Sequence, residues 1–457
     1  NPAETRMSGG GEIYQVDEWR RRNKVRTIFI DPRYTDSMLG REDEWIPIKP
    51  GSDAAMIEAM AYVMISENLV DQEFLDKYCV GYDEKTMPEG APADGCYKSY
   101  ILGQGPDRTA KTPERAAAIT GVPAERIFKL AREIGSTKPI FFAQGWSLQR
   151  HANGEQASRA VAMLPILTGN IGLPGTHIGE EPGNYAYPVP KLPLPDNKVK
   201  AKIPCFLWTD AITRGTEMTA LADGIQGADK LKAPIKFLWN YSSNTTLNQH
   251  SDTTTTHKIL QDDSLCEFIL VIENHMTPTA RYADILLPDI TNYEGADIIA
   301  NGYAVGEMGG PIFMSAAIKP LFESKSAYEI CTLIARQMGV EQQFTEGKTL
   351  EQWLEGAYAE MLKKDSGLPP TLEAARAQGM IKRRAPAGGG VALARFRADP
   401  AANPLKTPSG KIEIYSRALA DIAATWKLPE GDVITPLPQY VATWESAHDT
   451  ETRKTYP

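Results

Sequence analysis

Charged side chains follow the apolar segments of this sequence where the strands of an α/β fold would end. Asp31 and Arg33 come directly after the β-branched run 25–30, and Asp53 stands at the start of an apolar helix. Ligands of such folds bind at the carboxyl ends of strands, where a carboxylate can accept hydrogen bonds from a ribose or a base. An arginine there can pair with a phosphate. From spacing alone, a plain N-cap role for Asp53 is the simpler explanation.

A second group of polar residues follows two later apolar segments, residues 235–239 and 267–272. Asn244 comes after the first segment, and Glu273 and Asn274 come after the second. The residue types alone identify them only as polar loop residues. Their position at predicted strand ends makes them candidate ligands.

Composition and spacing argue against several other classes of function. The formal net charge of -9 argues against a nucleic-acid groove. The five cysteines form no CxxC pair, so their spacing predicts neither an iron–sulfur cluster nor a zinc site. Residues 172–175 lack the GxGxxG spacing of a nicotinamide-binding loop. No apolar run approaches the roughly 18 residues that span a bilayer, so we expect any membrane attachment to come through a partner.

Hydrophobic periodicity and capping residues place these candidates on predicted elements. Strands are predicted over 25–30, 45–48, 139–143, 235–239 and 267–272, and a hairpin over 407–415. Helices are predicted over 54–65, 155–167, 327–337 and 350–363, with two short helices between Thr112 and Gly135. The Pro- and Gly-rich residues 172–204 are expected to form an ordered covering loop. This alternation is typical of an α/β fold.

Seven short motifs occur in the order of a known family. They are NPAET (1–5), IDPRYT (30–35), IKPGSDAA (48–55), QGWSLQRHANG (144–154), LTGNIG (167–172), ADILLP (283–288) and PSGKIE (408–413). Over essentially its whole length, the sequence therefore resembles molybdopterin-dependent oxidoreductases of the dimethyl sulfoxide reductase family. The resemblance implies an α/β class with two doubly wound α/β units of the molybdopterin oxidoreductase fold around a shared cofactor cleft.

The cofactor that the resemblance implies is bis(molybdopterin guanine dinucleotide) with molybdenum. We expect residues 1–148 to bind one molybdopterin guanine dinucleotide and residues 149–290 to bind the second. Residues 291–457 are expected to form a covering and linking segment that leads to a C-terminal β-barrel domain. The iron–sulfur cluster and the molybdenum ligand of a complete subunit are expected before Asn1. No residue here is therefore assigned to catalysis or metal binding, and this segment alone is expected to be inactive.

The resemblance also assigns cofactor-binding positions, and at Asp53 it favours guanine binding over simple capping. Gln149 is expected to hydrogen-bond a pterin edge, while His151 is expected only to line the pocket. The positions are Asp31, Arg33, Thr35, Gly51, Ser52 and Asp53 in the first unit, Gly145, Trp146, Gln149 and His151 in the loop near the pterin, and Asn244, Glu273 and Asn274 in the second unit.

The implied function is two-electron oxygen-atom transfer at molybdenum. The segment would be the central part of the catalytic subunit of an anaerobic respiratory reductase of dimethyl sulfoxide and other S-oxides or N-oxides. Its implied partners are an iron–sulfur electron-transfer subunit and a membrane anchor subunit, at the periplasmic face of the bacterial inner membrane.

Three alternatives remain open at this point. A formate dehydrogenase or a nitrate or selenate reductase would use the same cofactor-binding residues with a different metal ligand. A non-catalytic relative in a respiratory complex would keep the fold without molybdenum, but the retained Asp31, Arg33, Asp53 and Gln149 argue against it. An ordinary nicotinamide dehydrogenase is disfavoured because no Gly-rich fingerprint follows a strand.

Overall fold

The structure is a computed structural model that describes residues 12–179, 187–249, 252–300, 308–384, 390–444, 449 and 451–455. The NPAET motif at residues 1–5 lies outside the described residues. The chain divides into two compact units, one formed by residues 1–184 with 386–457 and the other by residues 185–385.

The N-terminal part of the first unit alternates short strands with helices. Its elements are α1 (Glu12–Asn23), β1 (Ile28–Ile30), β2 (Glu44–Ile46), α2 (Asp53–Ser66), α3 (Gln72–Tyr78), β3 (Cys79–Val80), α4 (Tyr97–Ile101), α5 (Pro113–Thr120), α6 (Ala124–Ser136) and α7 (Gly154–Leu167). Strands β1 and β2 pair in parallel, with Phe29 opposite Trp45. Their carboxyl ends therefore lie at one edge, as the sequence predicts for Asp31.

Helix α2 forms the centre of the first unit. Every residue from 54 to 65 except Tyr62 is buried, and α5, α6 and α7 pack around the helix. The buried surface therefore extends beyond the single apolar face of an amphipathic helix, because this helix is enclosed on nearly all sides. The two predicted short helices are confirmed as α5 and α6. Thr112 caps α5 by accepting a hydrogen bond from the Arg115 amide, and Pro113 fills its first position.

The extended segment 139–143 forms no strand, so that prediction is wrong. Its backbone groups bond to side chains from other parts of the chain instead of to a neighbouring strand. The Ile140 amide donates to Asn170 Oδ1 at 3.0 Å, and the Phe142 carbonyl lies 3.0 Å from His177 Nδ1. Pro139 offers no amide hydrogen for a ladder.

The second unit carries a three-stranded parallel sheet and two small antiparallel pairs. Its elements are α8 (Trp208–Thr213), α9 (Ala220–Asp223), β4 (Phe237–Tyr241), α10 (Thr245–Asn248), α11 (Thr253–Leu260), β5 (Phe268–Glu273), β6 (Ile285–Pro288), β7 (Asp297–Ala300), β8 (Met308–Gly309), β9 (Pro311–Met314), α12 (Ala327–Gln337), α13 (Glu341–Thr345), α14 (Leu350–Lys364), α15 (Leu372–Gln378) and β10 (Arg383–Arg384). The parallel order is β4-β5-β6, while β7 pairs with β9 and β8 with β10. Parallel pairing places the ends of β4 and β5 at one edge.

The C-terminal residues return to the first unit. Their elements are α16 (Ala394–Ala398), β11 (Ile412–Glu413), α17 (Arg417–Thr425) and α18 (Thr452–Thr455). The hairpin predicted over 407–415 is wrong, because β11 pairs in parallel with β3, Ile412 opposite Cys79. A turn does form, since the Gly410 amide donates to the Thr407 carbonyl. Pro404 and Pro408 have no backbone amide hydrogen, so the first strand of a hairpin would lack two of the donors that it needs to pair with the second.

The boundaries of the compact units differ from the predicted domain ranges. Helix α7, expected to open a second unit near residue 149, packs against α2 in the first. The first unit also includes residues 386–457, which the sequence analysis assigned to a separate linking segment. Within the described residues, the structure contains no helix that is both long and apolar enough to cross a bilayer.

Candidate functional site

A cavity of about 410 Å³ lies in the first unit where β1 ends and α2 begins. Five of the predicted site residues line it: Asp31, Gly51, Asp53, Gly145 and His151. Asp31 follows β1 directly, and Gly145 precedes a short 3-10 helix at Trp146–Gln149. The structure therefore brings together residues that are up to 120 positions apart in the sequence.

Asp53 is the first residue of α2, and the N-cap is Ser52. The Ser52 hydroxyl makes no capping bond and instead donates to the Lys49 carbonyl at 2.6 Å. The simple N-cap role considered for Asp53 is wrong, because Asp53 lies one residue inside the helix. The first helical hydrogen bonds run from the amides of Ala55 and Met56 to the Ser52 carbonyl. The amides of Asp53 and Ala54 precede them, and the Asp53 amide donates to the carboxyl of its own side chain.

The electrostatics of the cavity centre on the Asp53 carboxyl. Burial raises its pKa above the usual value, the hydrogen bond from its own backbone amide and the nearby His151 lower it, and the Asp31 carboxylate raises it. The direction of the shift shows that burial outweighs the favourable partners. An ionised Asp53 would therefore gain from N–H donors supplied by a ligand.

Gln144, which lines the same cavity, provides a second acceptor. Its Oε1 is buried and has no hydrogen-bond partner among the described residues, while its Nε2 donates to the Ser158 carbonyl at 3.3 Å. A buried polar atom without a partner is costly unless a ligand or water satisfies it. A carboxylate and an amide oxygen both accept hydrogen bonds, so the lining of this cavity suits a ligand that carries N–H donors.

Gly51 makes the turn before α2 with a φ of 76°, which an L side chain rarely adopts. A Cβ added there would lie 2.8 Å from Thr443 Oγ1 and 3.7 Å from His151 Nε2. The close approach of Thr443 therefore requires glycine at position 51. This contact joins the start of α2 to the C-terminal part of the first unit.

We expect Gly51→Ala to destabilise the chain more than Gly40→Ala does. Gly40 has a φ of 70° and open space where a Cβ would stand, so its substitution adds only backbone strain of about 1–2 kcal/mol. Gly51→Ala adds a steric clash of about 1–3 kcal/mol to similar strain. Urea unfolding of both variants measures the difference, and equal losses of stability would show that Thr443 yields without cost.

The remaining predicted residues of the first unit lie outside the lining of this cavity. Arg33 and Gln149 are exposed, whereas Thr35 and Ser52 are buried. The Thr35 carbonyl accepts from the Met38 amide and so contributes to a turn. The side chain of Trp146 lies outside the described part of the structure. Their roles in cofactor binding stay predictions.

Several lining residues were not assigned from the sequence. Gln144 belongs to a recognised motif, and its place after an extended apolar segment was a usable signal. Phe141, Phe142 and Ser147 also line the cavity. Thr443 had no local signal, because only the folding of the C-terminal residues onto α2 brings it to Gly51.

In the second unit, the predicted residues lie at the carboxyl edge of the parallel sheet. Tyr241 of β4 pairs with Ile272 of β5, so Asn244 and Glu273 follow at the same edge. Asn244 Oδ1 accepts from the Thr279 amide at 3.0 Å and ties the two loops together. Glu273 Oε1 accepts from the amide of the exposed Asn274 at 2.8 Å. Their role in binding a second dinucleotide stays a prediction.

A resident metal would need a cluster of suitable side chains. The described ranges contain no group of three or more His, Cys, Asp and Glu side chains that could hold a metal ion. The residues of the first cavity suit the organic part of a cofactor, because they combine the acceptors of Asp53 and Gln144 with an apolar wall that includes Met56 and Met60.

Comparison with known families agrees with this geometry. The family model for molybdopterin oxidoreductase matches residues 1–337. The chain belongs to the molybdopterin oxidoreductase family, and this membership implies a molybdenum–molybdopterin cofactor. The predictions of an α/β class and of the molybdopterin oxidoreductase fold are confirmed.

Similarity to individual curated proteins is more specific than the match to the family model. It is 58% identical over 457 residues to the dimethyl sulfoxide reductase DmsA of Escherichia coli K12, covering all of this chain and 56% of that protein. It is 31% identical over 487 residues to a trimethylamine-N-oxide reductase of Haemophilus influenzae, covering 94% of this chain and 54% of that protein. The chain thus spans about half the length of the curated relatives it matches.

A solved structure shares the fold. Acetylene hydratase from Pelobacter acetylenicus matches with a TM-score of 0.61 at 21% identity, covering 97% of this chain and 57% of that one. At this identity the match shows a shared fold and carries no argument about the reaction.

Proposed function

We propose that this chain is the central part of the catalytic subunit of an anaerobic respiratory reductase of dimethyl sulfoxide and other S-oxides or N-oxides. The identity of 58% to a dimethyl sulfoxide reductase supports the substrate class. In this proposal the first cavity holds the guanine end of one half of bis(molybdopterin guanine dinucleotide). The observation that carries it is the half-buried Asp53 carboxyl at the start of α2, which lines the same cavity as Gln144, whose Oε1 has no partner among the described residues.

Each residue of the first cavity has a defined task in this proposal. The Asp53 carboxylate accepts from the guanine N–H groups, and Gln144 Oε1 accepts from a further ligand donor. Gly51 makes the turn before α2 with a positive φ and leaves room for Thr443, and so helps to place Asp53 in the cavity lining.

When bound, the cofactor supplies two-electron oxygen-atom transfer at molybdenum, and this chain's residues bind and orient it. Asn244, Glu273 and Asn274 are the proposed positions for the second dinucleotide. The same proposal includes the iron–sulfur cluster of the complete subunit, the iron–sulfur and membrane anchor subunits and the periplasmic location, which rest on the family resemblance of the sequence motifs.

The experiment is nucleotide and metal analysis of the complete subunit purified from anaerobic cells. Acid treatment should release about two guanine nucleotides per molybdenum, because each half of the cofactor carries one. The same preparation should oxidise a reduced dye when given dimethyl sulfoxide. A preparation with molybdenum but no guanine nucleotide would contradict the cofactor, and turnover of formate or nitrate alone would contradict the substrate class.

A further inference from the structure

The C-terminal part of the first unit contains an extended segment, residues 431–444, which we call the strap. All of its residues are described, and none belongs to a helix or a strand. An extended backbone outside a sheet must satisfy its polar groups with side chains or water. The hydrogen bonds of the strap therefore show which side chains hold it in place.

Two side chains near or within α7 fix the first half of the strap. Asn153 donates to the Gly431 carbonyl at 3.0 Å and accepts from the Val433 amide at 2.9 Å. Arg159 donates to three consecutive carbonyls, those of residues 435 to 437, at 2.8–3.3 Å. The planar fork of a guanidinium suits such clustered acceptors.

The second half of the strap is fixed from α2. Glu58 is 1% exposed, and its Oε1 accepts from the Tyr440 amide at 2.5 Å. Leu437 is buried in the same hydrophobic core as α2. The strap is thus anchored at successive points to the helices that form the cavity walls.

The end of the strap lies next to Gly51, which lines the cavity. Thr443 Oγ1 lies 2.8 Å from the point that a Cβ of Gly51 would occupy, and His151 Nε2 lies 3.7 Å from that point. Gly51 and His151 both line the cavity that also contains Asp53. Thr443 therefore contacts the turn that determines where the helix amides and the Asp53 carboxyl point.

We propose that Thr443 is a positioning residue of the cofactor site, and that the strap exists in part to hold its hydroxyl against the Gly51 turn. This inference rests on the proposed function, since it concerns the guanine-binding end of the same cavity. Thr443 acts through the Gly51 turn and is not assigned a direct contact with the ligand. Nothing in the local sequence around residue 443 indicates this role.

The test uses the complete subunit and measures how fast bound guanine nucleotide is lost during a fixed incubation. Thr443→Val replaces the hydroxyl by a methyl group at nearly constant volume, changes the packing against the Gly51 turn and should speed the loss by about fivefold, which corresponds to about 1 kcal/mol. Thr443→Ser keeps the hydroxyl and should restore the wild-type rate. Melting temperatures of both variants separate a positioning effect from unfolding.

A second variant acts on the strap at a distance. Arg159→Met removes the donors to the three carbonyls and should both expose the strap to proteolysis and speed nucleotide loss. The matched control is Arg132→Met, whose guanidinium pairs with Glu67 on the surface of the same unit and should change neither rate.

The outcomes separate this inference from the proposed function. If Thr443→Val and Arg159→Met keep the wild-type rate while Asp53→Asn speeds the loss, the cavity binds guanine and the positioning role is overturned. If Thr443→Ser loses nucleotide as fast as Thr443→Val, the hydroxyl is not the acting group and the inference also fails. If the wild-type subunit contains no guanine nucleotide, both proposals fail together.

Discussion

Replacing Asp53 by alanine is expected to remove most of the bound cofactor from the complete subunit while leaving the fold intact. Each hydrogen bond from a guanine N–H to the carboxylate is worth about 1.5–3 kcal/mol, which corresponds to roughly 12- to 150-fold in affinity. Since Ser52 and not Asp53 is the N-cap, the fold should lose little stability. Guanine nucleotide content and thermal unfolding measure the two effects separately.

The control for this variant is Asp53→Asn, which keeps the shape of the side chain and one acceptor oxygen. It should bind the cofactor better than Asp53→Ala and more weakly than the wild type. Full occupancy in Asp53→Ala, with a loss of stability of about 1 kcal/mol, would match an N-cap and contradict guanine binding.

Asp53 also gives the site a pH dependence with a defined sign. Burial raises its pKa in the folded chain, so its contribution to stability is present below the ordinary value of 3.8 and is lost as pH rises through the raised value. Guanine retention should change in the opposite direction and improve over that rise, because the ionised carboxylate is the acceptor. Asp53→Asn should abolish the pH dependence that Asp53 gives to stability and to guanine retention.

Replacing Glu58 by alanine is expected to cause the largest loss of stability in the first unit. The Glu58 carboxylate accepts from the Tyr100 hydroxyl and the Tyr440 amide, both at 2.5 Å, and lies 3.4 Å from Arg115 Nη1. Removing it leaves two buried donors without an acceptor and a cavity beside α2. Breaking a buried charged network in this way costs about 3–5 kcal/mol, measured by urea unfolding.

Glu58→Gln is the matched control, because its amide oxygen can still accept from both donors. Burial raises the pKa of Glu58, so the wild type is most favoured below the ordinary value of 4.5 and loses that contribution as pH rises through the raised value. Glu58→Gln should lack this pH-dependent loss. Equal stability of the alanine and glutamine variants would contradict the role of the carboxylate as an acceptor.

The parts of the fold that could be predicted from the sequence are those with local signals. The Thr112-Pro113 pair predicts the start of α5, and the capped helix at residues 327–337 has the bounds observed for α12. The segment 139–143 has the composition of a strand, but Asn170 and His177 supply its partners from distant positions. No local pattern could reveal those contacts.

In the candidate site, too, some residues could be predicted from local sequence signals and others could not. Asp31, Gly51 and Asp53 could be found because strand ends and helix starts mark them in the sequence. Thr443 could not, because its contact with Gly51 depends on the whole C-terminal segment returning to the first unit. Gln144 was missed although its motif was recognised, since only the structure shows that Oε1 is buried without a partner among the described residues.

The most direct test of the account is an experimental structure of the complete subunit with its cofactor bound. We expect a guanine in the first cavity with its N–H edge within about 2.7–3.2 Å of the Asp53 carboxylate oxygens. Gln144 Oε1 should have gained a donor from the ligand, and Thr443 should remain against Gly51. A cofactor whose guanine lies elsewhere, with Asp53 facing only water or protein, would contradict the assignment of this cavity.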